Sequence, residues 1–138
     1  MHMIGIIVTG HGTFASGMAE AVRLLAGMPE YFKAVDFTQA DSTDDLEFRL
    51  KDVILSMDAC DGIVIFTDVV NGAPYQEAVE LSRELADKQD IRIVSGTNLA
   101  MLVQADTARG YVQDPDGLAD LAAEEGRKNI VKFVDSDE

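Results

Sequence analysis

A histidine between two glycines is the residue of this chain best suited to chemistry. His11 lies in the segment Thr9-Gly10-His11-Gly12-Thr13, just after the apolar run Ile4–Val8. This pattern predicts that the ring lies where a buried strand ends and a helix begins, the edge at which open α/β sheets bind ligands. Flanking glycines allow a tight turn and close approach of a ligand. Imidazole can act as nucleophile, acid or base near neutral pH.

Two further loops follow predicted strands. Asp68 comes directly after Gly62–Thr67, the segment Asn71-Gly72-Ala73-Pro74 opens a predicted helix, and Ser95-Gly96-Thr97-Asn98 follows another apolar run. Right-handed crossovers place the carboxyl ends of parallel strands at one edge, so we expect these loops to meet near His11. A carboxylate that accepts a hydrogen bond from one ring nitrogen fixes the tautomer and frees the other nitrogen. Because the N–H groups at a helix start favour an anion, the three loops together suit a phosphohistidine.

Simpler and different roles are open at this stage. A histidine in such a loop can be a cap or a hydrogen-bonding residue, and an aspartate there can be a turn former. The run from Gly10 to Ala15 also satisfies G-x-G-x-x-G/A, and Asp36 lies near the end of the next predicted strand, where a ribose-binding acid would stand. A dinucleotide site is therefore the alternative. It gives no role to Asp68, and the His11 side chain would share the space of the pyrophosphate.

The sequence predicts no metal or cofactor. Of two histidines, His2 is terminal, and no cluster of His and Cys with ligand spacing occurs. The single cysteine, Cys60, cannot form an internal disulfide, and its place before an apolar strand indicates a buried structural thiol.

Composition narrows the class of protein and of partner. A chain of 138 residues that is 47% hydrophobic predicts one domain over residues 1–138. A net charge of −14 disfavours nucleic acid and anionic membranes, and favours a basic protein surface. No apolar run reaches the roughly 18 residues of a membrane span, and no secretory signal is visible, so we expect a cytoplasmic protein.

Strands and helices are predicted to alternate. This predicts an α/β fold, a doubly wound, mainly parallel four-stranded sheet with helices on both faces. A capped helix start is expected at Ser42, and Pro74 suits the first turn of the next helix. The other predicted elements are strands Ile4–Thr9, Ala34–Phe37, Gly62–Thr67 and Ile91–Ser95, and helices Phe14–Ala26, Leu99–Arg109 and Asp116–Arg127. A late strand, Ile130–Val134, must pair with a sheet edge of its own subunit or of a partner.

The three loops resemble those of the IIA domain of mannose-type phosphotransferase-system (PTS) sugar transporters. That family shows T-H-G or G-H-G after an apolar strand, then D-x-x-G-G-S-P-F, then G-x-N-x-x-M-L. The corresponding segments here are Thr9-Gly10-His11-Gly12, Asp68-Val69-Val70-Asn71-Gly72-Ala73-Pro74-Tyr75 and Gly96-Thr97-Asn98-Leu99-Ala100-Met101-Leu102. Residues 9–17 and Thr97 look most like the branch that handles N-acetylgalactosamine or galactosamine.

The resemblance implies a phosphoryl carrier. His11 would accept phosphate from the phosphocarrier HPr and pass it to a IIB component, with the membrane IIC and IID components as indirect partners. Asp68 would orient the ring, and the phosphoryl-binding residues would be Gly12, Thr13, Asn71, Gly72 and Ala73. The family usually forms homodimers in which the C-terminal strand is exchanged, which would explain Ile130–Val134. A related fold can instead serve as a phosphorylation-sensing regulatory module, and this sequence does not separate the two roles.

Two departures from the family pattern matter for the site. Asn71 replaces a glycine, and Ala73 replaces a Ser or Thr whose hydroxyl can bind the phosphoryl group. Loss of that hydroxyl removes roughly 1–3 kcal/mol of hydrogen bonding, unless Thr13, Thr67 or Asn71 substitutes for it.

Overall fold

The computed structural model describes residues 3–27 and 29–136 and contains one parallel sheet. The sheet order is β2-β1-β3-β4, and every neighbouring pair of strands is parallel. The strands are β1 Ile4–His11, β2 Phe32–Phe37, β3 Gly62–Thr67 and β4 Ile91–Val94, and the helices are α1 Phe14–Ala26, α2 Thr43–Ser56, α3 Ala73–Glu84, α4 Leu99–Ala108 and α5 Pro115–Lys128. The predicted doubly wound α/β architecture is confirmed.

Helices cover both faces of the sheet. Side chains alternate along a strand, so Ile6 and Val8 of β1 pack into a core with α1, α4 and α5. Ile7, between them, packs into the second core, which includes Leu50 of α2 and Leu81 of α3. Burial on both faces explains why β1 and β3 are almost wholly apolar in sequence.

Helix starts follow local capping chemistry. Ser42 accepts a hydrogen bond from the Asp45 N–H, and the Asp45 side chain accepts one from the Ser42 N–H, which completes a capping box at α2. Pro74 lies in the first turn of α3. Both predictions are confirmed. The side chains of Asn98 and Asp114 likewise accept hydrogen bonds from N–H groups in the first turns of α4 and α5.

Several predicted boundaries were wrong by one or two residues. β1 continues to His11 because Gly10 and His11 pair with Asp36 and Phe37 of β2. His11 is therefore the last residue of a strand and not part of the loop that follows. β2 begins at Phe32 because Phe32 and Lys33 pair with Ile6 and Ile7 of β1, and β4 ends at Val94.

The predicted late strand, Ile130–Val134, is not formed within this chain. The segment pairs with no strand among the described residues. Its large apolar side chains are exposed, with Ile130 at 79% and Phe133 at 81%. The physical reason is the place where α5 ends: the Gly126 carbonyl accepts a hydrogen bond from Asn98, beyond the carboxyl end of β4, so the chain leaves the sheet there. Exchange with a partner stays a prediction.

Within the described ranges, no helix combines the length and the apolar character needed to cross a bilayer.

Candidate functional site

The end of β1 and the end of β3 bring His11 and Asp68 into contact. One oxygen of Asp68, Oδ2, lies 2.8 Å from Nδ1 of the His11 ring and accepts a hydrogen bond from the His11 main-chain N–H, also at 2.8 Å. The other oxygen, Oδ1, accepts from the Val69 N–H at 2.8 Å. The carboxylate is thus held by three donors and cannot rotate freely.

These hydrogen bonds keep Asp68 ionised. Burial opposes the charge of the Asp68 carboxyl, but the hydrogen bonds from the His11 main chain, the His11 ring and the Val69 N–H outweigh it, so its pKa lies below the usual value of 3.8. An ionised carboxylate can only accept a hydrogen bond, so the neutral His11 ring carries its proton on Nδ1. The lone pair is then on Nε2.

Two neighbours restrain the ring from the β2 side. The Phe37 ring meets the His11 ring edge-on, with centroids 6.1 Å apart and an angle of 62° between the planes. The Phe37 carbonyl accepts a hydrogen bond of 2.7 Å from the Gly12 N–H. Gly12 has a φ of +60°, a conformation that suits glycine. The His11 side chain is nevertheless 50% exposed, against 14% for Asp68.

The start of α3 lies against the free nitrogen of His11. A Cβ placed on Gly72 would lie 2.7 Å from Cε1 and 3.5 Å from Nε2 of the ring. Gly72 is the N-cap residue of α3, and within the described residues no side chain accepts a hydrogen bond from this helix start. The open N–H groups of the first turn are therefore next to Nε2, where an anion would be stabilised.

The start of α1, in contrast, is closed by a side chain. Asp36, at the end of β2, accepts a hydrogen bond of 2.9 Å from the Ser16 N–H in the first turn of α1. A carboxylate thus occupies the place that a dinucleotide pyrophosphate would need, and Asp36 is engaged with the protein backbone. The geometry disfavours the dinucleotide alternative.

The predicted phosphoryl-binding residues follow His11 in the chain or lie at the start of α3. Asn71 is exposed and has a φ of +67°, and Ala73 is the half-buried first residue of α3. Thr13 is exposed and does not cap α1 with its side chain. Thr67 is fully buried, and its hydroxyl has no hydrogen-bond partner in the part of the chain that the structure describes. Of the three residues considered as substitutes for the missing hydroxyl at Ala73, only Thr13 and Asn71 lie at the surface.

Sequence reasoning missed three contributors to the site. Phe37 follows Asp36 in an ordinary apolar run, and the Val69 N–H is a main-chain group with no sequence signal. Thr97 was singled out only for its place in a motif, yet its hydroxyl is bonded to the carbonyl of Thr67, next to Asp68. The last contact could be found only in three dimensions.

The other groups that could carry chemistry lie elsewhere. Cys60 is 6% exposed, and burial raises the pKa of its thiol, as expected of a structural cysteine. Within the described ranges no group of three or more His, Cys, Asp or Glu side chains could hold a metal ion. His2 lies outside the described residues.

Comparison with known proteins agrees with this geometry. The sequence profile of the EIIA-man family, described as "PTS system fructose IIA component", matches residues 5–123. The crystal structure of a phosphotransferase system component EIIA from Streptococcus agalactiae superposes with a TM-score of 0.88 at 32% identity, covering 95% of this chain and 98% of that chain.

Two curated relatives extend the comparison. The PTS system mannose-specific EIIAB component of Escherichia coli is 28% identical over 127 residues, which are 92% of this chain and 38% of that protein. The PTS system fructose-specific EIIA component of Bacillus subtilis is 24% identical over 121 residues, 88% of this chain and 81% of that one. The chain thus spans well under half the length of the mannose-specific relative. It belongs to the EIIA-man family of IIA components, which are phosphotransferase components of the PTS sugar transport system.

Proposed function

We propose that this chain is a phosphoryl relay of sugar uptake, in which His11 accepts phosphate from phospho-HPr and passes it to a IIB component. The observation that carries the proposal is the uncapped start of α3 beside Nε2 of His11. A ring nitrogen with a free lone pair is a nucleophile, and a helix start without a side-chain acceptor is an anion site. Their contact suits a transient phosphohistidine.

The transfer needs little covalent chemistry from the protein. Nε2 attacks the phosphorus in line, the new N–P bond forms as the N–P bond to the HPr histidine breaks, and the bond electrons leave with HPr. The His11 ring gains positive charge in this step, and Asp68 offsets that charge through Nδ1–H. The N–H groups of Gly72 and Ala73 face the charge on the phosphoryl oxygens. In the transfer to IIB, His11 is the donor: the N–P bond at Nε2 breaks as the bond to the IIB acceptor forms.

The exposure of the site suits contact with protein partners. His11 is half exposed, and Val69 and Val70, which follow Asp68, are 52% and 57% exposed. A net charge of −14 favours encounter with a basic surface, and added salt weakens such steering. The membrane IIC and IID components would be reached only through IIB.

Labelled phosphoenolpyruvate, enzyme I and HPr test the acceptor directly. We expect an acid-labile label on the wild-type chain and on His2→Ala, the control that removes the only other histidine. His11→Ala should carry no label. A labelled His11→Ala protein would refute the assignment.

Onward transfer separates the relay from the regulatory alternative. A relay loses its label when a purified IIB component is added, whereas a phosphorylation-sensing module keeps the label and changes its binding to a partner. A calorimetric titration with NAD is expected to show no heat of binding, and a measurable heat would restore the dinucleotide alternative.

The finer assignments belong to the same proposal. Residues 9–17 and Thr97 support the N-acetylgalactosamine or galactosamine branch, and the rates of transfer to IIB components of different sugar systems test it. The exposed segment Ile130–Val134 supports a homodimer that exchanges this segment. Sedimentation of the full chain should then give a dimer, and a chain ending at Asn129 a monomer.

A further inference from the structure

Three buried threonines lie where the strands of the sheet end. Thr9, Thr67 and Thr97 are at most 7% exposed. The Thr9 hydroxyl donates to the Val35 carbonyl at 2.9 Å, and the Thr97 hydroxyl donates to the Thr67 carbonyl at 2.7 Å. Among the described residues, the Thr67 hydroxyl has no hydrogen-bond partner. Two of the three hydroxyls thus donate to main-chain carbonyls, and only the carbonyl bound by Thr97 adjoins Asp68.

The bond made by Thr97 leads to Asp68. The Thr67 carbonyl, which also accepts the Thr97 N–H at 3.2 Å, belongs to the peptide unit that ends at the Asp68 nitrogen. The next carbonyl, that of Asp68 itself, accepts the Gly96 N–H at 3.1 Å. Peptide units are planar. Holding the two carbonyls therefore restrains both planes that flank the Asp68 Cα, and with them the direction of its Cα–Cβ bond.

The loop that provides these donors is itself rigid. Gly96 has a φ of +73°, and Asn98, one residue after Thr97, caps α4 through the Met101 N–H at 3.1 Å. The amide of Asn98 also donates to the Gly126 carbonyl of α5 at 3.0 Å. The loop between β4 and α4 is thus bonded to α4 and α5 on one side and to Thr67, the residue before Asp68, on the other.

We propose that Thr97 is a positioning residue for the phosphoryl acceptor, acting through its hydroxyl, the Thr67 carbonyl and the Asp68 carboxylate on the ring of His11. The proposal rests on the function proposed above for His11. Because the hydroxyl is buried, water does not replace its hydrogen bond when the hydroxyl is removed. The carboxylate then loses the fixed direction that selects the Nδ1–H tautomer and aims Nε2.

Thr97→Val tests the hydroxyl alone, since valine keeps the shape and the main-chain N–H. We expect the maximal rate of phosphorylation by phospho-HPr to fall roughly tenfold with KM within about twofold, because a small misalignment slows transfer more than it weakens docking. Thr97→Ser restores the hydroxyl and should recover the rate to within about twofold of wild type. Thr9→Val is the matched control, because it removes an equally buried bond to a carbonyl that does not flank Asp68.

Nitrogen-15 spectra of the His11 ring give a readout that needs no phosphoryl donor. Spectra are recorded well above the ordinary titration range of imidazole. Thr97→Val should lower the fraction of Nδ1–H tautomer, whereas Thr97→Ser and Thr9→Val should keep the wild-type fraction. Thermal unfolding is measured alongside, and the two valine variants are expected to lose similar stability.

The outcomes separate this proposal from the proposed function. Wild-type ring spectra and rates in Thr97→Val, together with the stability loss of Thr9→Val, would show that Thr97 has only a structural role. Altered spectra in Thr97→Val would support the positioning role even if the wild-type chain failed to accept phosphate, in which case only the relay function would fall.

Discussion

The starts of α1 and α3 lie at the same edge of the sheet and have opposite chemistry. In α1 the first turn donates to the carboxylate of Asp36, which reaches across from β2. In α3 the N-cap is Gly72, and within the described residues no side chain accepts from the first turn. The start of α1, which carries the glycine-rich fingerprint, is closed by the Asp36 carboxylate. The start of α3, which lacks the fingerprint, is open beside His11.

The difference extends to the other helices. Side-chain oxygens of Ser42, Asn98 and Asp114 accept hydrogen bonds from the first turns of α2, α4 and α5. Four helices are therefore satisfied internally, and α3 alone among the described helices has no such acceptor. A glycine N-cap costs only about a few tenths of a kcal/mol relative to a capping side chain. Gly72 thus leaves the first-turn N–H groups open for a phosphoryl group at little cost in stability.

The largest expected effect is at the open helix start. Gly72→Ala places a Cβ 2.7 Å from Cε1 of His11. Relief of that contact moves the ring away from Asp68, and the methyl group also fills space beside Nε2, so we expect phosphorylation to slow by about 10³-fold. Phosphorylation by phospho-HPr in rapid-quench experiments measures the effect. Gly17→Ala is the control, since its Cβ meets nothing within 4 Å, and it should keep the wild-type rate. Phosphorylation of Gly72→Ala at the wild-type rate would show that the phosphoryl group does not approach this helix start.

Asp68→Asn is expected to slow phosphorylation by about 10²-fold, because an amide does not select the Nδ1–H tautomer. The pH dependence of stability provides a second readout. The pKa of Asp68 lies below 3.8, so its hydrogen bonds stabilise the fold fully above that pH and are lost as the pH falls below it.

Urea unfolding at a series of acidic pH values measures this dependence. The wild-type free energy of unfolding should fall more steeply below the usual aspartate range than that of Asp68→Asn. Equal slopes would mean that the carboxylate is not held as the structure has it.

Ala73→Ser returns a hydroxyl to the first residue of α3. A hydrogen bond to the phosphoryl group should shift the equilibrium with phospho-HPr by roughly tenfold towards phosphorylated His11, which corresponds to about 1.4 kcal/mol. The ratio of the two phosphoproteins at equilibrium gives the value. An unchanged ratio would indicate that Thr13 or Asn71 already supplies the missing donor, and Thr13→Ala and Asn71→Ala then identify which one.

Asp36→Ala tests the closed helix and should have the smallest effect on transfer. Loss of the cap at α1 is expected to lower the free energy of unfolding by about 1 kcal/mol, with the phosphorylation rate within about twofold of wild type. Chemical denaturation and the phosphorylation assay measure the two quantities. A large fall in rate would place the start of α1 in the phosphoryl site and remove the contrast with α3.

Local patterns were enough for most of the fold. The apolar runs of β1 and β3, the capping box at Ser42 and the proline at the start of α3 each act through neighbours in sequence, so their elements were predicted to within two residues. The C-terminal segment Ile130–Val134 shows the limit of the method. Its β-branched and aromatic residues are typical of a strand, but a strand needs a partner edge, and no pattern within the segment specifies one.

The same division applies to the site. The convergence of His11 and Asp68 could be predicted because right-handed crossovers place the carboxyl ends of parallel strands at one edge of the sheet. The closure of the α1 start could not, because Asp36 reaches α1 from a neighbouring strand, and such a contact depends on sheet register. The hydrogen bond from the Thr97 hydroxyl to the Thr67 carbonyl likewise joins residues 30 positions apart in the sequence. Residue types and order thus specified the acceptor and its carboxylate, whereas packing across the sheet decided where an anion can bind and what keeps the ring in place.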